Sequence, residues 1–142
     1  MVGFLIVAHG TLGESLIHCA SHVMGSRPPQ LMQIGVTVHD DPQAILPQAI
    51  LPQALKLVKQ LDQGKGVLVL SDIYGATPCN IAAKLLIPGK VEGVAGVSLP
   101  MLIRALTYRN EPLKIVVEKA LSGGSEGVLH ITTDGYDAAT GS

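Results

Sequence analysis

Tryptophan is absent from this chain of 142 residues, phenylalanine occurs once and tyrosine three times. So few rings leave no platform on which the bases of a single strand could stack. Charge is sparse as well: Lys and Arg total 10 against 11 Asp and Glu, a formal net charge of −1. That balance carries no electrostatic footprint for nucleic acid or an anionic membrane surface. Long apolar runs are missing too. Stretches such as 4–8 and 67–70 are strand-length, far short of the roughly 20 residues a spanning helix needs, so the chain is not expected to be membrane-inserted. No basic residue precedes the apolar N-terminal run, which makes it a poor secretory signal and points to the cytoplasm. The cysteines are two, Cys19 and Cys79, and read as free thiols of a reducing compartment.

What the chain does have is apolar bulk. Hydrophobic types make up 47% of it and the mean hydropathy is +0.40, enough to bury a core and to exclude general disorder. The length suits a single domain over residues 1–142. Short apolar runs at 3–8, 31–38, 66–70, 91–97 and 127–132 alternate with helical patterns at 11–24, 53–62, 78–87, 100–108 and 112–121. Each of the first four runs is nearly continuously apolar, as expected of strands covered on both faces. Strands alternating with helices imply right-handed crossovers. The predicted fold is α/β, a three-layer αβα sandwich on a mainly parallel sheet.

Two stretches stand apart. Residues 43–55 read QAILP-QAILP-QAL, a five-residue repeat that carries Pro47 and Pro52. Five is not a helical period, and each interior proline costs about 3 kcal/mol in a regular helix. A broken or separate turn is expected before Pro52, the product of a local duplication that lengthens a connection. From Ser122 the chain carries Gly123, Gly124 and Gly127, then one last apolar run and a polar end. That run is free to pair in its own sheet or with a partner chain.

In an open parallel sheet, ligands bind outside the carboxyl ends of the strands. Three segments place polar groups there: Ala8-His9-Gly10, Ser71-Asp72 followed by Ile73 to Pro78, and Val97-Ser98-Leu99-Pro100. His9 stands between an apolar strand and a helix start, where the helix favours negative charge. The place suits a nucleophile whose product is a phosphoramidate; it suits equally a histidine that ties two loops together. A carboxylate at Asp72 that accepts one ring N–H would set the tautomer and free the other nitrogen. The plainer role for Asp72 is to cap the following turn. Thr77-Pro78 has the pattern of an N-cap followed by a first-turn proline, and its hydroxyl and nearby amides would face the same cleft. Gly75 lets the backbone approach a ligand closely. His18 and His22 share a helix face at a spacing that can bind metal, but without a third ligand a solvated face is the simpler reading. His39, His130, Cys79, Tyr108 and Arg109 read as structural or surface positions.

Taken together these segments resemble the IIA component of the mannose/fructose-type sugar phosphotransferase system (PTS), over nearly the whole chain. The resemblance rests on GFLIVAHGTLGESL at 3–16, GVLVLSDIYGATPCNIA at 66–82 and GVSLPMLIRAL at 96–106. It implies that His9 is the phosphorylated histidine, with Asp72 and Thr77 at the supporting carboxylate and hydroxyl positions. Gly10, Gly75, Ala76 and Ser98 would form the phosphate pocket. The phosphocarrier protein HPr would supply the phosphoryl group, and a histidine of a IIB component would receive it for sugar uptake. No metal or organic cofactor is implied. A homodimer is, with residues 127–132 crossing to the neighbour as an antiparallel edge strand.

The chain departs from the pattern at Ser98, where many relatives carry Asn, and in the QAILP repeat, which extends the second connection. Ser122 onward leaves no room for a fused IIB domain, so a separate acceptor chain is expected. Three other functions compete: a stand-alone regulatory phosphoprotein, the phosphodonor subunit of dihydroxyacetone kinase, and, in a different class, a chelatase-like metal-binding protein.

Overall fold

The computed structural model describes residues 1–37 and 46–133. The elements run β1 (Gly3–His9), α1 (Leu12–Met24), β2 (Leu31–Val36), α2 (Leu46–Leu61), β3 (Val67–Ser71), α3 (Thr77–Ala83), β4 (Val91–Ala95), α4 (Leu99–Thr107) and α5 (Leu113–Glu126). The four strands are parallel in the order β2-β1-β3-β4. Alternate residues of β1 serve opposite faces of this sheet. Phe4, Ile6 and Ala8 join the core beneath α1, α4 and α5. Leu5 and Val7 join the core beneath α2 and α3. Helices on both faces of a parallel sheet are the three layers the sequence predicts.

The connection with the repeat forms differently from expectation. One helix runs from Leu46 through Pro52 to Leu61. Ile50, Ala54, Val58 and Leu61 form its buried stripe, while Pro52 is exposed. Each large apolar side chain so buried contributes about 1.5–3 kcal/mol, more in sum than the ~3 kcal/mol an interior proline costs. Residues 43–45 of the first repeat copy, and Val38 and His39, lie outside the described residues.

Helix ends also moved. α3 stops at Ala83, four residues early, because Ile87 bridges Val91 and Pro88 follows it; the residue before a proline is driven out of helical geometry. α5 runs on through Gly123 and Gly124 to Glu126. A Cβ on Gly123 would meet Arg104 Cβ at 2.9 Å and the Pro100 carbonyl at 3.1 Å, so glycine lets α5 lie close on α4.

The expected fifth strand is not formed among the described residues. Residues 128–132 have no ladder partner among the described residues, and Val128, Leu129 and Ile131 are 82%, 77% and 93% exposed. A strand needs a second backbone to exchange hydrogen bonds with, and none lies beside this one among the described residues. The single-chain sheet is therefore purely parallel.

Arg109, read from sequence as a surface or interface position, is 6% exposed. Its guanidinium donates to the carbonyls of Val2, Pro29 and Gln30 and stacks on Phe4. Burial pushes its pKa down to about 10, still far above neutrality, so it is a charged clamp at the sheet end remote from His9. Hydrogen bonds to a charged group contribute about 1.5–3 kcal/mol each. Arg109→Met is expected to lower unfolding free energy by about 3 kcal/mol, measured by urea titration; a loss under about 0.5 kcal/mol would contradict the clamp.

Candidate functional site

Register brings the site together. Val7 of β1 pairs with Ser71 of β3, so His9 and Asp72 follow side by side at the carboxyl edge, 63 residues apart in sequence. Asp72 Oδ2 accepts the His9 main-chain N–H at 2.9 Å and lies 2.7 Å from ring Nδ1. Its other oxygen, Oδ1, accepts the Ile73 N–H at 3.0 Å. Burial raises the Asp72 carboxyl, but the His9 main-chain and ring hydrogen bonds, the Ile73 N–H and the His9 charge outweigh it and hold the pKa below 3.8. Asp72 is thus ionised at neutral pH and can only accept. Nδ1 must carry the proton of this hydrogen bond, which leaves Nε2 of a neutral ring with its lone pair free. The His9 side chain is 43% exposed against 9% for Asp72: the carboxylate is the sheltered support and the ring is the open member.

The surrounding turns depend on glycine. Gly10, Gly75 and Gly96 have φ of +55°, +85° and +91°, left-handed values that side chains other than hydrogen disfavour. The Gly10 N–H donates to Val36 O at 2.9 Å, tying the turn to β2. A Cβ on Gly35 would collide with the Gly10 carbonyl. Gly35 went unnoticed in sequence, although a glycine inside a strand is itself a sign of close backbone approach.

The remaining expected residues fall as follows. Thr77 is the first residue of α3 and not its cap; Ala76 holds that position, and no side chain caps the helix. Its hydroxyl makes no hydrogen bond among the described residues. Ser98 is the N-cap of α4, its Oγ accepting the Met101 N–H at 3.3 Å. It follows β4, which is separated from β1 by β3, so Ser98 stands at the same edge but not beside His9. Ile73 and Tyr74 project from the turn after Asp72 and are exposed, Tyr74 to 87%.

Clefts lie elsewhere. One, of about 1100 Å³, runs between α1, β2 and α2, with His18 and Cys19 on its wall. Others of 570, 470 and 510 Å³ are lined by residues remote from the pair. Among the described residues no three His, Cys, Asp or Glu side chains converge as a metal site, so the chelatase-like reading has no donor set there. Both cysteines are free. No described helix is long and apolar enough to cross a membrane.

An open parallel sandwich with a carboxylate-held imidazole at its carboxyl edge defines a histidine-bearing α/β domain. The family model described as the PTS system fructose IIA component matches residues 3–120, and the chain belongs to that family, a sugar phosphotransferase family of the mannose type. It is 28% identical over 130 residues to the PTS system mannose-specific EIIAB component of Escherichia coli, a match covering 89% of this chain and 38% of that protein. The chain thus spans about two-fifths of the length of the curated relatives it matches. Among solved structures, EIIA from Streptococcus agalactiae superposes with TM-score 0.77 at 23% identity, covering 92% of this chain and 97% of that one. The mannose/sorbose-specific IIA subunit from Enterococcus faecalis gives 0.78 at 21% identity, covering 92% and 95%. These likenesses establish the fold.

The depressed Asp72 pKa has a signed consequence. A carboxylate held below its unfolded value adds stability that is present above pH 3.8 and is lost as pH falls through its folded pKa. The stability gap between wild type and Asp72→Asn is therefore expected to shrink below pH 3.8, followed by urea midpoints from pH 6 down to about pH 2. A gap that widens on acidification would contradict the geometry.

Proposed function

We propose that this chain is the phosphoryl-carrying IIA unit of a PTS, taking the group from phospho-HPr on His9 Nε2 and passing it to a histidine of a IIB component. The observation that carries the reading is the Asp72 Oδ2 contact of 2.7 Å to Nδ1, which leaves Nε2 as the exposed nucleophile. In the first transfer the lone pair of His9 Nε2 bonds to phosphorus in line with the donor nitrogen, whose P–N bond breaks. The donor ring, protonated on its other nitrogen, keeps the P–N electron pair and departs as neutral imidazole, while His9 keeps its Nδ1 proton on Asp72 and holds the group on Nε2 as a phosphoramidate. The second transfer repeats this with His9 as the leaving nitrogen. Asp72 keeps the Nδ1 proton in place and offsets the positive charge that grows on the ring during each transfer.

The His9 ring opens to solvent, and the clefts described above are lined by other residues. That favours a phosphoryl group delivered by a protein surface over a small molecule bound in a pocket. Exposed Ile73 and Tyr74 beside Asp72 give such a surface apolar contact. The backbone at Gly10, Gly75 and Ala76, the Thr77 hydroxyl and the loop at Ser98 are the groups available to phosphate oxygens. We assign the unit to the cytoplasm, where donor and acceptor would meet it. Residues 127–132 are assigned to a homodimer contact, as an antiparallel strand on the β4 edge of a second copy; their exposed Val128, Leu129 and Ile131 support this.

The test is transfer of radiolabel from phospho-HPr to purified protein. His9→Ala is expected to take up none while keeping its fold, and label surviving that change would refute the assignment. Asp72→Asn is expected to slow transfer about 100-fold and Thr77→Ala about 10-fold or less. The label should be acid-labile and alkali-stable, as on a phosphoramidate.

A further inference from the structure

Gln33 of β2 carries a buried side-chain oxygen, Oε1, with no hydrogen-bond partner. Its Cα partner in β1 is Ile6, and its side chain lies beneath the first turn of α1. A Cβ on Gly13 would meet both Gln33 Cβ and Oε1 at 3.0 Å. Over Gly35, two residues on and on the same face, Oε1 and the Gly10 carbonyl lie within 4 Å of one point. Gln33 Oε1 is thus buried and unpaired on the side of β2 where the Gly10 carbonyl also lies, and a buried acceptor without a donor is unfavourable. A carboxamide turned end for end has the same shape but presents a donor instead.

We infer that Gln33 is a positioning residue for His9: its amide Nε2 donates to the Gly10 carbonyl and holds the β1–α1 turn on β2. His9 immediately precedes Gly10, so that bond fixes where the ring meets Asp72. The turn already has one tether on this side, the Gly10 N–H to Val36 O at 2.9 Å, and the Gln33 amide supplies the second. With both, the peptide after His9 cannot rotate, and Nδ1 stays at the distance that keeps the proton off Nε2. The inference rests on the carrier reading only for its kinetic consequence; the ring tautomer can be read without any phosphoryl donor.

Nitrogen-15 NMR of the His9 ring in the full chain provides the test. Wild type should show a protonated Nδ1 and a bare Nε2. Gln33→Met keeps the volume and removes the amide; the two nitrogen shifts should move toward each other as the tautomers mix. Transfer from phospho-HPr should fall about 10-fold in kcat with little change in KM. Gln33→Glu, which can accept but not donate, should behave as Gln33→Met does. Unchanged ring shifts in Gln33→Met, or full transfer by Gln33→Glu, would overturn the assignment. Should both variants unfold, the wild-type spectrum decides. One Gln33 amide proton should exchange slowly and show a nuclear Overhauser contact to Gly10; fast exchange of both would overturn it. If wild type takes no label at all, the carrier reading fails while the ring shifts still decide the role of Gln33.

Discussion

The site depends on one register, that of β1 against β3. Parallel pairing of Val7 with Ser71 makes two strand ends coincide, so an imidazole and a carboxylate far apart in the chain become hydrogen-bonded neighbours. A slip of one residue would turn every β1 side chain to the opposite layer, pulling Phe4 and Ile6 out of one core and Leu5 and Val7 out of the other. The burial that holds the sheet in register therefore also holds His9 against Asp72. Stability and chemistry share the same constraint, at opposite ends of the same strands, with Arg109 closing the far end.

Asp72 does more than set a tautomer. One of its oxygens holds both the ring and the backbone of His9, while the other holds its own turn. The ring thus moves with the strand end and not as a free side chain. Rigid support beneath an open ring is what the proposed in-line transfer between two imidazoles would require, since little besides orientation and charge separates reactive from unreactive encounters. The turns around it follow the same logic: glycines at Gly10 and Gly75 adopt left-handed backbone, and Gly35 clears space for the Gly10 carbonyl.

Much of this was legible along the chain. Nearly continuous apolar runs marked the four parallel strands; the central β1 and β3 are buried on both faces, while the edge strands β2 and β4 are partly open. His9 and Asp72 were marked as candidates by their places at strand ends, and Thr77 by its place at a helix start. The segments that misled are those where tertiary contact overrode a local rule. Pro52 did not break α2, because the stripe Ile50, Ala54, Val58 and Leu61 is buried on the sheet. Thr77 did not cap α3, because the backbone enters that helix one residue earlier than the Thr-Pro pair suggests. The last apolar run has no ladder partner among the described residues, since a strand is a property of two backbones and a sequence displays one.

Composition, periodicity and the order of strand-end residues were enough to determine the layered parallel architecture and to nominate the histidine, because burial on two faces and the turn from strand to helix are local properties of a chain. Which ring nitrogen is free, which carbonyl needs a glycine beneath it and which buried amide lacks a partner were decided only by the folded molecule. Each depends on distances between residues from different strands, and those distances arise only when the cores on both sides of the sheet close together.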